Sequence, residues 1–382
     1  MRIAVIGAGI GGLATARGLQ ADGHEVLVLE RRADASPVGA GLTLFPNAME
    51  ALDVLGLGDE VREVSCAPFR GMRCGQRDSS GAWLVSLPAE VLADVCAVHR
   101  ADLHRVLREG LAPGTLRCGA FAEVAPDGSP RVTVGNSTER FDVVIAADGI
   151  HSQARVALGL DRGVRHTGAL AWRGVTSSPV DLGGQISETW GPGGIVGYVP
   201  LPDDRIYWYV TMSSPSNPQI ADERAALREH VGTWCAPIPQ LIDATTDADL
   251  MRHDLHDLAA IPECFHRGQV ALLGDAAHAM TPHLGQGAGQ ALEDAASLVT
   301  LLGWAGEYGA EGIDAALTQY TRIRRPRARS VWSASRTLGR LAQAEGVAAT
   351  AARTLLRMAP SWVMAASSCR IQRWPRPERN RR

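Results

Sequence analysis

The sequence predicts an α/β fold: a Rossmann-like domain, an α+β insertion that forms an antiparallel sheet, and a helical C-terminal tail. Three observations predict this class. An apolar run at residues 2–6 leads through a glycine-rich turn into a helical pattern. Two later apolar runs, 143–146 and 270–273, are each followed by an Asp/Gly pair. Between them, residues 167–211 are rich in glycine, proline and aromatic residues and carry a strand pattern.

The composition is that of a globular protein and excludes several classes. The 382 residues are 46% hydrophobic and 21% charged with a net charge of −3, which argues against disorder and against a nucleic acid partner. No apolar run reaches the roughly 18 residues of a membrane span, and Met1–Ile10 does not resemble a signal peptide. All 38 basic residues are arginine. The lack of lysine excludes Schiff-base catalysis, attachment of pyridoxal phosphate and a phosphate-loop lysine.

Cysteines and histidines show no metal-binding pattern. The seven cysteines are scattered without a CxxC pair, and the histidines do not cluster at ligand spacing. We therefore expect reduced thiols in a cytoplasmic protein with no metal and no disulfide.

The first strand–helix–strand unit carries a dinucleotide-binding fingerprint. Gly7, Gly9 and Gly12 form a GxGxxG pattern between a strand and a helix. Such glycines provide a tight turn, a close approach of the backbone to a diphosphate, and close packing of helix on strand. Glu30 follows the second strand, 18 residues after Gly12, where an acid accepts hydrogen bonds from an adenosine ribose. The alternative is a glycine-rich turn without a ligand.

Two later segments are expected to return to the same nucleotide. One strand ends at Asp148-Gly149 and another at Gly274-Asp275. Ligands of open α/β sheets bind at the carboxyl ends of strands. The strand and helix alternation breaks up soon after Glu30, which favours FAD over a nicotinamide dehydrogenase. Taken alone, either segment is also compatible with a simple turn at the end of a strand.

Further elements follow from periodicity and from turn residues. Helices are expected at 47–57, 101–108 and 287–302, and strands at 131–134, 141–146, 194–199 and 205–212.

Together these segments resemble the group A flavoprotein monooxygenases, which have the p-hydroxybenzoate hydroxylase fold and include salicylate hydroxylase-like and kynurenine monooxygenase-like enzymes. The resemblance spans about residues 1–335 and also includes Glu30-Arg31, Val38–Gly41 with Pro46–Ala48, and His99–Leu103. It implies non-covalent FAD, NAD(P)H as a transient reductant, and O₂ as co-substrate. The implied reaction is hydroxylation of an aromatic or conjugated small molecule through a flavin hydroperoxide.

The resemblance also implies which residues hold FAD. The diphosphate lies along the first glycine turn, the adenosine near the end of the second strand, and the flavin along the segment after 281. In that order the implied residues are Gly7, Gly9, Gly11 and Gly12; Glu30, Arg31 and Ala122; Thr43, Arg100, Asp148, Gly274 and Asp275; and Pro282, Gly285, Gln286, Gly287, Ala288 and Gly289.

The chemistry of the last segment fits a flat ring. Pro282 has no N–H, and Gly285, Gly287 and Gly289 have no side chains, so the ring can lie against the backbone. A helix that begins near Gly287 directs its positive end at the ring, where it stabilises negative charge on reduction.

Aromatic residues concentrate in the inserted region and indicate a pocket for a planar apolar substrate. In the strand 205–212, Tyr207 and Tyr209 share one face and Ile206, Trp208 and Val210 the other. The sequence does not decide which face meets the pocket, and an ordinary sheet core is the alternative. No catalytic acid or base stands out. The candidate pocket residues are Trp172, Arg173, Trp190, Tyr198, Tyr207 and Tyr209.

The domain division and the C-terminal charge complete the prediction. Residues 321–382 carry 15 arginines and two acids, whereas the rest of the chain is acidic. We expect this tail to pack on the acidic body; an acidic partner or an anionic membrane is the alternative. The predicted parts are a discontinuous FAD-binding domain (1–75, 97–165 and 268–320), a substrate-binding sheet domain (76–96 and 166–267) and a basic helical segment (321–382).

Other functions remain open on the same scaffold. They are an epoxidase, a Baeyer–Villiger-type monooxygenase and a non-catalytic FAD-binding protein. A flavin-dependent halogenase is excluded because the chain has neither a lysine nor a WxWxIP motif. The sequence does not determine the substrate, the choice between NADH and NADPH or the oligomeric state, and a homodimer stays open.

Overall fold

The structure is a computed structural model. It describes residues 1–34, 40–66, 69, 71–92, 94–305, 309–344, 346, 354, 357–358 and 361–377. Val38 and Gly39 of the family-like segment, and the end of the basic tail from residue 378, lie outside these residues.

The described residues form short strands and mostly longer helices, numbered here in chain order. The strands are β1 Arg2–Ile6, β2 Glu25–Leu29, β3 Gly41–Leu44, β4 Ser65–Cys66, β5 Arg73–Asp78, β6 Trp83–Leu87, β7 Cys96–His99, β8 Leu116–Arg117, β9 Ala122–Val124, β10 Arg131–Val134, β11 Ser137–Arg140, β12 Val143–Ala146, β13 Val164–Val175, β14 Gln185–Gly191, β15 Gly194–Pro200, β16 Ile206–Ser213, β17 Met251–Leu258, β18 His266–Arg267 and β19 Val270–Leu272. The α-helices are α1 Ile10–Ala21, α2 Pro46–Val54, α3 Gly58–Glu63, α4 Arg100–Glu109, α5 Gln153–Ala157, α6 Glu223–Val231, α7 Ile238–Asp243, α8 Asp275–His278, α9 Gly287–Ala305, α10 Gly309–Ala342 and α11 Ser361–Gln372.

A six-stranded sheet forms the nucleotide-binding part, in the order β18-β19-β12-β1-β2-β8. Its strands are parallel except for β18. Ile6 pairs with Ala146, and Ala146 pairs with Leu272, so the three strands end together. The glycine turn and the two later Asp/Gly segments therefore meet at one edge of the sheet, as the sequence predicts.

A seven-stranded sheet in the order β17-β13-β16-β15-β14-β5-β6 forms the second large layer. One face packs against α6 and α7 and contains Trp172, Trp208 and Val210 in a hydrophobic core. The other face is directed toward the nucleotide-binding part and carries Tyr207. The mainly antiparallel sheet that the sequence predicts is confirmed, with one parallel pair between β14 and β5.

One predicted helix ends three residues early. The pattern over 47–57 predicts a helix, which is α2; it ends at Val54, and a separate helix α3 follows from Gly58. Gly56 has φ +73°, a conformation that a glycine adopts without steric cost and that ends the helix.

The long helix α10 is attached to the body through buried arginines. Arg324, which is 1% exposed, donates to Asp294 at 2.6 Å and also pairs with Glu293. Arg336 pairs with the buried Asp257 at 2.6 Å. The arginines of this helix therefore contact acids of the body. Among the described helices, none combines the length and apolar character needed to cross a bilayer.

Candidate active site

Two adjoining cavities lie where the sheets meet. The larger has a volume of about 880 Å³ and the smaller about 310 Å³. Gly9, Arg100, Ala147 and Gly149 line both, so the two form one groove along the carboxyl edge of the parallel sheet.

The smaller cavity collects the predicted adenosine-binding residues. Glu30 is held in place because Oε2 accepts from the Ala8 N–H at 2.8 Å and Oε1 from the Arg32 N–H at 2.9 Å. Arg31 is exposed at the rim. The predicted residues that line this cavity are Gly7, Gly9, Glu30, Arg31, Arg100, Ala122 and Asp148.

The fingerprint glycines have separate tasks. Gly7 has φ +102°, and a Cβ there would lie 2.4 Å from the carbonyl oxygen of Ala147. A Cβ on Gly12 would lie 2.1 Å from the carbonyl oxygen of Gly7. A Cβ on Gly9 would meet nothing within 4 Å. Two of these glycines therefore permit close packing, and Gly9 faces open space in the groove.

Asp148 has an incomplete set of hydrogen bonds. Its Oδ2 accepts from the Ala154 N–H at 3.1 Å, which orders the start of α5. Its Oδ1 is buried and has no partner among the described residues. Buried polar atoms normally have partners, so this oxygen indicates a ligand group that donates to it.

The larger cavity collects the predicted flavin-binding residues, and Arg100 and Asp275 interact electrostatically across it. Burial lowers the pKa of Arg100, and Asp275 opposes that shift. The predicted cofactor residues that line this cavity are Gly9, Gly11, Gly12, Thr43, Arg100, Gly274, Asp275, Pro282, Gly285, Gln286, Gly287 and Ala288.

The glycines at the start of α9 differ in what they face. A Cβ on Gly287 would meet nothing within 4 Å, and the residue lines the cavity. A Cβ on Gly289 would lie 3.2 Å from Nδ2 of Asn47. Gly289 is not among the residues that line the cavity, so its place along the ring stays a prediction. Its missing side chain makes room for α2.

His278 belongs to a buried ion cluster behind Asp275. Its Nε2 lies 2.6 Å from Oδ2 of Asp294, and both side chains are buried. Burial alone would raise the pKa of Asp294, but the neighbouring His278 and Arg324 hold this pKa at about 2. Asp294 also accepts from the Gly274 N–H at 2.9 Å. The histidine therefore supports the turn before Asp275 and does not line the cavity.

The seven-stranded sheet supplies the far wall of the larger cavity. Arg173, Tyr207 and Tyr209 line it, and the ring centroids of the two tyrosines are 6.1 Å apart. Tyr207 packs on Gly41, where a Cβ would lie 2.3 Å from Cβ of the tyrosine. The face of β16 that carries Tyr207 and Tyr209 is thus the cavity face, a choice that the sequence left open.

Two predicted pocket residues, Trp172 and Trp190, lie away from the cavity, and Tyr198 lines it only in part. Trp172 lies on the opposite face of β13, in the core beneath α6, and its indole N–H donates to Glu223 at 2.8 Å. Tyr198 borders the cavity, but its ring is in the same core and its hydroxyl pairs with Ser187 at 3.0 Å. Trp190 packs with Ala342 at the end of α10. Strand alternation explains the positions of Trp172 and Tyr198, because their side chains leave the opposite face of the sheet. Trp190 is covered by the end of α10.

The C-terminal helix α11 supplies cavity residues that the sequence analysis missed. Ser368, Ile371 and Gln372 line the larger cavity. The carbonyl of Ile371 accepts from Arg327 at 2.7 Å, and Trp374 is 4% exposed in the main core. No sequence motif marks this segment, and its many arginines indicate a basic surface segment and not a cavity wall.

Four histidines also line the larger cavity without having been predicted. They are His151, His253, His256 and His283. Burial lowers the pKa of His283 to about 4, and both of its ring nitrogens are buried without a partner among the described residues.

Comparison with known proteins decides the family. Residues 1–335 match the FAD binding domain family. The chain belongs to this family. It is 34% identical over 374 residues to aurachin C monooxygenase/isomerase of Stigmatella aurantiaca, covering 94% of this chain and 95% of the relative. It is 34% identical over 376 residues to 2-heptyl-3-hydroxy-4(1H)-quinolone synthase of Pseudomonas aeruginosa, with the same shares covered.

Solved structures agree with this assignment. HpxO of Klebsiella pneumoniae, complexed with FAD and uric acid, superposes with a TM-score of 0.85 at 28% identity, covering 97% of this chain and 96% of that one. A salicylate hydroxylase substrate complex superposes with a TM-score of 0.75 at 28% identity, covering 98% of both chains. The chain is therefore an FAD-dependent group A monooxygenase, as its motifs indicate.

The residues present fit FAD. The groove is continuous from Glu30 to the start of α9, and the positions of Gly9 and Gly287 leave open space along it. The unpartnered Oδ1 of Asp148 at its wall offers an acceptor for a hydroxyl of the cofactor.

Proposed function

We propose that the chain hydroxylates a planar heteroaromatic small molecule with NAD(P)H and O₂ as co-substrates. The observation that carries the proposal is the single groove, whose nucleotide end runs into a cavity walled by Tyr207, Tyr209 and Arg173. The volume of about 880 Å³ must hold both the flavin ring and the substrate beside it.

In this proposal the chain binds FAD along the predicted residues. The backbone of the first glycine turn and the positive end of α1 hold the diphosphate. Glu30 receives the ribose hydroxyls, and Arg100 with Asp275 holds the ribityl region. When bound, FAD would supply the redox chemistry, namely the oxidation of NAD(P)H and the activation of O₂.

The protein's own contribution is to position the ring, exclude water and orient the substrate. The backbone at Pro282–Ala288 presents a flat surface, and the N-terminus of α9 places positive potential beside it. The tyrosines stack against a planar substrate, and α11 covers the cavity against solvent.

The relatives support a heteroaromatic substrate. The names of the two relatives above refer to aurachin C and to a quinolone, and the superposed HpxO structure contains uric acid. A 6-hydroxynicotinate 3-monooxygenase of Pseudomonas fluorescens is 31% identical over 351 residues, covering 86% of this chain and 89% of the relative.

The proposal includes the expected cellular setting and organisation. We place the protein in the cytoplasm because seven cysteines that are scattered without a CxxC pair suit a reducing compartment. The predicted division into FAD-binding, substrate-binding and C-terminal parts is retained as part of the proposal, and so is a homodimer as the oligomeric state to be tested.

A substrate screen tests the function. Purified holoenzyme is mixed with NADH or NADPH and with hydroxylated or keto forms of benzoate, pyridine, quinoline and purine, and both NAD(P)H consumption and H₂O₂ are followed. We expect at least one heteroaromatic to stimulate NAD(P)H oxidation with little H₂O₂. Consumption that no aromatic stimulates, or that ends wholly in H₂O₂, would contradict the proposal.

A further inference from the structure

A row of side chains crosses the cavity face of the seven-stranded sheet. The row follows the backbone register of five neighbouring strands. Arg173 lies opposite Tyr209, Tyr209 opposite Gly197, Gly197 opposite Glu188, and Glu188 opposite Gln76. All five residues line the larger cavity. Residues paired in register on adjacent strands direct their side chains to the same face, so this row forms part of the cavity wall.

Gly197 allows Tyr209 to reach Glu188. A Cβ on Gly197 would lie 2.4 Å from Cζ of Tyr209, so the ring lies across the glycine. The tyrosine hydroxyl then donates to Oε1 of Glu188 at 2.5 Å. The glycine and the tyrosine together direct a hydroxyl at the carboxyl group from two strands away.

Glu188 is an acid without an ionic partner in an aromatic cavity. Among the described residues no arginine or histidine forms an ion pair with it. Arg173 lies three strand spacings away, about 14 Å, which is too far for a salt bridge. Burial raises the pKa of Glu188, against the hydrogen bonds from Tyr209 and from Trp190. A carboxylate offers about four lone-pair positions, so Glu188 keeps acceptor capacity beyond its protein donors.

Gln76 adds a second polar group without a partner. It is paired with Glu188 on the adjacent strand, and its Oε1 is buried with no hydrogen-bond partner among the described residues. Buried amide oxygens are usually satisfied, so a ligand group is expected at this position. An amide beside a carboxylate presents acceptors together with an N–H donor.

We propose that Glu188 and Gln76 bind the polar edge of the substrate, and that the substrate is a neutral heteroaromatic ring with an N–H, as in a lactam or a 4-quinolone. The N–H donates to the Glu188 carboxylate, and the Gln76 amide pairs with the polar atom beside it. An anionic substrate edge is rejected here because it would face a carboxylate. The inference rests on the proposed function and names its substrate class.

The competing explanation is that Glu188 and Tyr209 only stabilise the sheet. It predicts that ligands with and without the N–H bind alike. A substrate-binding role predicts a difference that depends on Glu188. The probes are 4(1H)-quinolone and its N-methyl derivative, which differ in the N–H alone, together with quinoline-4-carboxylate as an anion.

The experiment measures dissociation constants from the change in flavin absorbance of the oxidised holoenzyme. We expect the N–H quinolone to bind at least tenfold more tightly than the N-methyl form and than the carboxylate. In Glu188→Gln the affinity for the N–H quinolone should fall at least tenfold, while that for the N-methyl form changes less than threefold. Acidification should weaken N–H binding in the wild type, because the charged acceptor is lost, and should have little effect in the variant.

Glu223→Gln is the matched control. Glu223 also accepts from an aromatic side chain, Trp172, at 2.8 Å, but on the opposite face of the same sheet. We expect the Glu223→Gln variant to bind both quinolones with wild-type affinity. If Glu188→Gln does not yield holoenzyme, Gln76→Leu and the wild-type comparison of the two quinolones provide the same test.

Three results would overturn the inference: no binding of the N–H quinolone, equal binding of its N-methyl form, or wild-type affinity in Glu188→Gln. FAD content and NAD(P)H oxidation are measured on the same samples. If the N–H probe binds as expected but no ligand stimulates NAD(P)H oxidation, the proposed function fails and the binding site stands. If another aromatic is hydroxylated and the N–H quinolone does not bind, the proposed function stands and the inferred binding site fails.

Discussion

Single residues control the cofactor groove in different ways. Glu30 is fixed by the N–H groups of Ala8 and Arg32 at the nucleotide end, and Gly287 opens onto the cavity at the flavin end. The sequence could predict both, because GxGxxG, a following acid and a glycine-rich helix start each have a local physical reason. It could not predict that Gly289 faces Asn47, because that contact joins residues far apart in the chain.

Glu30→Ala should weaken FAD binding. The change removes a charged acceptor for the ribose hydroxyls, and such hydrogen bonds contribute about 1.5–3 kcal/mol. Affinity for FAD should therefore fall on the order of ten- to a hundredfold, as measured by titration of the apoprotein. An unchanged dissociation constant would mean that Glu30 does not bind the ribose.

Gly287→Val should impair catalysis more than folding. A Cβ fits without a clash, since nothing lies within 4 Å, but the side chain occupies the space of the ring. We expect lost FAD, or slow reduction with most electrons appearing as H₂O₂, and little change in the thermal stability of the apoprotein. Gly289→Ala is the contrasting variant, because its Cβ would press on Asn47 and leave the cavity unchanged. Full FAD occupancy with tight coupling in Gly287→Val would contradict the placement of the ring.

Pairs of elements determine how the site is covered and held. Strand alternation predicts that Tyr207 and Tyr209 share a face, but only the position of α6 and α7 decides which face is buried. The closeness of Gln76 and Glu188 depends on β5 pairing with β14, two strands separated by about a hundred residues. No local pattern encodes that pairing.

The α9–α10 contact should make the protein sensitive to loss of Arg324. This arginine pairs with Glu293 and Asp294, all three nearly inaccessible to solvent. Arg324→Ala removes one arginine from two buried acids, which then keep only Arg327 for Glu293 and His278 for Asp294. Breaking a buried ion pair costs about 3–5 kcal/mol. We expect a large fall in the midpoint of chemical unfolding. Arg322→Ala, on the same helix but exposed, should change this midpoint little.

The same cluster predicts a loss of stability in acid. The folded pKa of Asp294 is about 2, below the ordinary value of about 3.9. A depressed pKa contributes stability above the unfolded value, and this is lost as the pH falls from about 4 to about 2. Unfolding free energies measured across that range should fall less steeply in Asp294→Asn, which starts from a lower stability.

Removal of residues 361–382 should open the cavity. Helix α11 supplies three cavity residues, and Trp374 behind it is 4% exposed in the main core. We expect the truncated holoenzyme to retain FAD but to release more H₂O₂ per NAD(P)H, because water reaches the flavin. Thermal stability should also fall, since deletion of a buried tryptophan costs about 3–5 kcal/mol. Wild-type coupling in the truncated protein would contradict a covering role for α11.

At the scale of the whole molecule, the groove lies between two layers, and only one of them is marked by local sequence motifs. The parallel sheet binds the nucleotide by motifs that are local in sequence, so the family and the cofactor could be predicted. The substrate wall is assembled from strands in the order β13-β16-β15-β14-β5 and is closed by the last described helix. Which side chains form this wall could therefore not be predicted from local sequence patterns.

The measurement that most directly tests the central claim is oxygen labelling. The holoenzyme is supplied with NAD(P)H, ¹⁸O₂ and the heteroaromatic that best stimulates NAD(P)H oxidation, and the product is analysed by mass spectrometry. The account predicts one ¹⁸O atom in the product for each NAD(P)H consumed in coupled turnover. A product that carries oxygen from water, or no oxygenated product beside H₂O₂, would contradict it.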